Sequence, residues 1–76
     1  MKPTVGRVVH AMSRGSADGQ FPPAVRAAVI TEVLPADADG QRVHLCVLNP
    51  TGLFFDLSVP YAETPTPGHW SWPPRF

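Results

Sequence analysis

Residues 53–59 read LFFDLSV and lie between the turn sequence Asn49-Pro50-Thr51-Gly52 and Pro60. Leu53, Phe55, Leu57 and Val59 alternate with Phe54, Asp56 and Ser58, and a period of two belongs to extended backbone. The pattern predicts a strand whose buried face is made of Leu53, Phe55, Leu57 and Val59. Pro50 pre-sets φ in the turn before it, Gly52 provides the exit, and Pro60 ends the run.

The rest of the chain repeats this grammar of short apolar runs between Pro and Gly, of which there are ten and six. Residues 42–49, RVHLCVLN, put Val43, Leu45 and Val47 on one face and His44, Cys46 and Leu48 on the other, as a central strand does. Residues 4–12, TVGRVVHAM, place Val5, Val9 and Ala11 beside Arg7, and Val8, His10 and Met12 beside Gly6. Residues 24–33, AVRAAVITEV, keep two readings. Val25, Val29 and Val33 recur at i+4 behind Pro22-Pro23, which suits a helix, yet the same positions share a strand face. The β-branched Val29, Ile30, Thr31 and Val33 favour the strand. Asp39-Gly40 in residues 34–41 marks a hairpin turn, and residues 13–23, SRGSADGQFPP, form a long loop. After the loop YAETPTPG at 61–68, residues 69–72 add a short closing strand before Pro73-Pro74. The expected fold is all-β: one domain over residues 1–76, a small antiparallel barrel or curled sheet of four to five strands, of SH3-like or OB-like size. Residues 60–76 are its Pro/Trp-rich carboxyl-terminal segment.

Six Lys plus Arg against six Asp plus Glu give a formal charge of zero, without the positive field that bulk nucleic-acid binding needs. Cys46 is the sole cysteine, so no intrachain disulfide and no multi-cysteine zinc site can form, which fits a reducing compartment. No run approaches the ~18 apolar residues of a membrane span, and the first residues lack a signal-peptide core. A soluble, cytoplasmic protein is expected, with no membrane partner. With 76 residues and no staple, burial of further surface by a homo-oligomer is expected as well. No phosphate-binding glycine loop, zinc-protease helix or nucleophile elbow occurs, so neither an enzyme nor a cofactor is implied.

Two residues apart, Trp70 and Trp72 share a strand face, with His69 and Ser71 on the other. Side by side, two indoles can form a stacking platform for a nucleobase; the alternative is that they cap the open end of a barrel as core. Five of the six basic residues are Arg. Arg7, Arg26, Arg42 and Arg75 are candidates for phosphate recognition by guanidinium forks, although isolated strand-edge arginines are commonly solvated or paired. Arg7 and Arg75 lead, because they flank the terminal segments that would frame a site. His10, His44 and His69 lack metal-ligand spacing, and a histidine bonded to backbone is the commoner outcome for each.

The runs Val5-Gly6-Arg7-Val8-Val9-His10, Ala27-Ala28-Val29-Ile30-Thr31-Glu32-Val33, Leu45-Cys46-Val47-Leu48-Asn49-Pro50-Thr51-Gly52 and the tryptophan-rich end resemble a family of small proteins encoded by actinobacterial phages and prophages. The resemblance covers nearly the whole chain. That family usually ends in Gly-Thr-Trp-His-Trp-Pro, and most members carry no assigned function. Here the stretch is Gly68-His69-Trp70-Ser71-Trp72-Pro73, with the histidine two places earlier, so a role for a histidine between the tryptophans does not carry over. The resemblance implies a phage accessory or virion protein. Residues and resemblance together lead to a non-catalytic binding module that holds a small-molecule anion or nucleotide, such as a host immune signal, with Trp70, Trp72, His69, His10, Arg7 and Arg75 as the candidate pocket. The alternative is a structural virion or protein-interaction protein docking through the Pro/Trp-rich end.

Overall fold

The computed structural model describes residues 2–15, 22–35 and 41–74. Five strands form one antiparallel sheet, namely β1 (Val8–Met12), β2 (Val25–Val33), β3 (Arg42–Asn49), β4 (Gly52–Pro60) and β5 (Trp70–Ser71), in the order β4-β3-β2-β1-β5. The all-β expectation holds, and the sheet curls into a half-barrel with no helix among the described residues. Within residues 24–33, Val25–Val33 is strand, because Ala27 to Val29 pair with both β1 and β3. The hairpin at Asp39-Gly40 lies outside the described residues, as does most of the loop at 13–23.

The inward face carries Val9 and Ala11 of β1, Ala28 and Ile30 of β2, Val43, Leu45 and Val47 of β3, Val59 of β4 and Trp70 of β5, all buried. Trp70 is the largest fully buried side chain, at 1% exposure. Its indole N–H donates to the Gln41 carbonyl at 3.2 Å, which satisfies the one polar atom such a burial would orphan.

Two irregularities shape the curl. The first stretch is strand only from Val8, because residues 4–7 turn: Arg7 N–H donates to Thr4 O at 3.2 Å, with Gly6 at φ +92° in the third position, the type II requirement. Gly6 N–H then donates to Ile30 O and Ile30 N–H to Arg7 O, so two residues oppose one in a glycine bulge. The second lies between β3 and β4, where Val43 pairs with Val59 but Leu45 with Asp56, leaving Leu57 and Ser58 opposite His44. Ser58 takes φ +54°; its N–H donates to His44 Nδ1 at 3.0 Å, and its carbonyl accepts from Arg42 Nη1 at 3.0 Å.

That bulge overturns the burial expected of β4. Register with Val47 and Leu45 puts Phe54 and Asp56 on the inward face, while Leu53, Phe55 and Leu57 point outward at 65%, 65% and 67% exposure. Only beyond Ser58 does the alternation switch, so that Val59 turns in. A one-residue insertion exchanges the two faces of a strand, and alternation alone does not say which face meets the core.

The half-barrel is closed at one end and open at the other. Past β4, Tyr61 bridges to Trp70 in parallel and Ala62 N–H donates to Trp70 O at 2.9 Å, so β5 links β1 to the chain leaving β4. At the opposite end the first half of β4 has no strand partner on its free side among the described residues.

Candidate functional site

At the closed end Trp70 packs against Tyr61 with ring centroids 4.8 Å apart and against Trp72 at 5.3 Å, nearly edge-on at 81°. Arg7, brought round by the glycine bulge, sets its guanidinium 5.9 Å from the Trp72 ring centre, within cation–π reach. A cavity of about 270 Å³ lies here, between Pro3, Gln41, Tyr61, Trp70 and Trp72. Its two indoles stand edge to face and one is sealed in the core, the capping role and not a flat two-ring platform.

The structure therefore joins Trp70, Trp72 and Arg7 and leaves the other expected site residues apart. His10 sits between the inward-facing Val9 and Ala11, which turns its ring to the outer side of the sheet, opposite the indoles. His69 precedes β5, and its Nδ1 lies 3.0 Å from the Pro67 carbonyl. Arg75 lies outside the described residues. Among the described residues no three His, Cys, Asp or Glu side chains gather as a metal site requires.

A larger cleft, of about 320 Å³, occupies the open end of the inward face. The ladders explain its lining. Arg26 pairs with Ala11, while Ala28 pairs with Val47 and Val47 with Phe54. Ala11 and Val47 form a small-residue floor, and Arg14, Arg26, Asn49, Phe54 and Asp56 stand around it. Ala11 is also the cross-strand partner of Trp70, so the cleft adjoins the core that the indole fills.

Arg14 is held over Gly68, whose φ is +79° and whose N–H donates to Met12 O at 3.0 Å. A Cβ at Gly68 would come within 2.6 Å of Arg14 Nε. The adjoining backbone is tied across β1 and β2, with Ser13 N–H donating to Ala24 O and Ala24 N–H to Ser13 Oγ, both at 2.9 Å. Among the described residues neither Arg14 nor Arg26 has a carboxylate within ion-pair distance, and Asp56 has no cation. Two guanidinium groups, one carboxylate, one amide and a half-exposed phenyl ring thus converge on an apolar floor, the make-up of a small-ligand site.

Sequence reasoning counted Arg14 and Arg26 among the arginines but did not place them together, and it assigned Phe54 and Asp56 to the solvent side of β4. The available signal was Arg26 two positions before Ala28, on the same strand face as that small residue. Cross-strand register was needed to use it. No family model, curated protein or solved structure matches the chain.

Proposed function

We propose that this protein is a non-catalytic binding module that takes a nucleotide-like small anion into the cleft at the open end of the half-barrel. The observation that carries this reading is the pair Arg14 and Arg26, two guanidinium groups without carboxylate partners among the described residues, lining one cleft with Phe54, Asn49 and Asp56. Guanidinium forks match phosphate oxygens, and a phenyl ring offers a face to a base. The Asp56 carboxylate can accept from the edge of that base, and the Asn49 amide can accept from it or donate to it. The resemblance to phage-encoded proteins makes a host nucleotide immune signal the concrete ligand, since sequestration needs affinity and no chemistry.

Thermal shift with linear and cyclic nucleotides at 1 mM tests it. A ligand with Kd ~10 μM is then present at about a hundredfold excess over Kd and adds about 2.7 kcal/mol, a rise in Tm on the order of 10 °C for so small a domain. Arg26→Ala is expected to abolish the shift while leaving the unliganded Tm within a few degrees. No shift with any nucleotide sinks the proposal, and a shift that Arg26→Ala leaves intact moves the site elsewhere.

A further inference from the structure

The outward residues of β4 form a short palindrome, Leu53-x-Phe55-x-Leu57, on the strand that ends the sheet. Each is about two-thirds exposed, and Leu48 on β3 adjoins Leu53 at 40% exposure. An exposed, apolar edge strand is a template for strand addition, which folded proteins ordinarily blunt with charge, proline or a bulge. Here the bulge at Leu57 and Ser58, Pro60 and the inward-facing Asp56 blunt the far part of the strand, and the run Leu53 to Phe55 before them carries no such device.

The backbone of that edge is oriented for pairing. Asn49 and Gly52 close a two-residue turn and are paired, so the hydrogen-bonding groups of Gly52, Phe54 and Asp56 face β3. Those of Leu53 and Phe55 consequently face away from it, along the free edge.

We propose that two copies of this chain associate through antiparallel β4–β4 pairing about a two-fold axis at Phe55. This register sets Phe55 opposite Phe55 and Leu53 opposite Leu57 of the second copy, so every outward pair is apolar. On the inward face Phe54 stands opposite Asp56 of the second copy, and no two carboxylates are directly opposed. A shift of two residues one way puts Asp56 opposite Asp56, which like-charge repulsion disfavours. The same shift the other way leaves Leu57 opposite Thr51 in the turn. A two-fold axis requires such a self-complementary surface, and the formal charge of zero adds no long-range repulsion between copies. With Leu53, Phe55 and Leu57 each offering on the order of 100 Å², the two copies contribute roughly 600 Å² of apolar contact, the size of a weak, reversible dimer.

Native mass spectrometry and sedimentation equilibrium of the full chain up to about 1 mM test the pairing. The expected result is a concentration-dependent dimer, weakened roughly 100-fold or more by Phe55→Lys or by Phe55→Glu, each of which sets like charges at the axis. Mixing the two variants restores a dimer of one copy of each, a result that also shows both are folded. The double variant Leu53→Lys/Leu57→Glu keeps its homodimer, because each lysine meets a glutamate. A wild-type monomer throughout overturns the proposal. So does a dimer indifferent to charge at residue 55, or a mixture of the two charged variants that stays monomeric.

Discussion

The two ends of the half-barrel share one sheet and one curl but differ in what fills them. At the closed end Trp70, Tyr61 and Trp72 pack ring on ring, and β5 bonds to both β1 and the chain beyond β4. At the open end Ala11 and Val47 leave a cleft rimmed by guanidinium, carboxylate and amide groups. A domain of this size has one small core, and the large indole of Trp70 sits across the β1–β5 ladder from the small Ala11. The closed end carries the fully buried indole, and the open end gathers polar side chains around a cleft.

The largest loss is expected from Trp70→Ala. Removing a fully buried indole costs about 3–5 kcal/mol, enough to unfold much of so small a domain at room temperature. Urea denaturation followed by circular dichroism reads the loss, and a variant that keeps its midpoint would break the comparison at its stronger end. Gly68→Ala should cost about 1–2 kcal/mol, because alanine is strained at φ +79°. Its methyl group also displaces Arg14, so nucleotide affinity falls more than stability does, and an equal fall in both would show that Arg14 takes no part in binding. Smallest is Arg7→Ala, which forfeits a half-exposed cation–π contact of about 0.5–1 kcal/mol and leaves the open end untouched. Its Tm should drop by a few degrees with unchanged ligand response; a lost response would join the two ends into one site.

Much of the architecture was legible because it rests on local rules. β3 follows its sequence signal from Arg42 to Asn49, and the closing strand forms at Trp70 and Ser71 within the expected run. Residues 24–33 were ambiguous by periodicity and decided by β-branching. β4 was legible as a strand and illegible in its facing, since the bulge at Ser58 reverses inside and outside and depends on contacts from His44 and Arg42. The indoles were legible as neighbours, but whether they lay open or buried turned on Tyr61 and Gln41, far off in the chain.

Alternation, β-branching and turn chemistry belong to neighbouring residues, so the sequence by itself determined an all-β chain, the positions of its strands and its Pro-Thr turn. Which face of β4 meets the core, the capping of one end by Trp70 and the meeting of Arg14, Arg26, Phe54 and Asp56 around a cleft were decided only by the tertiary structure. Each depends on register between strands distant in sequence, and register is a property of the closed sheet, not of any segment within it.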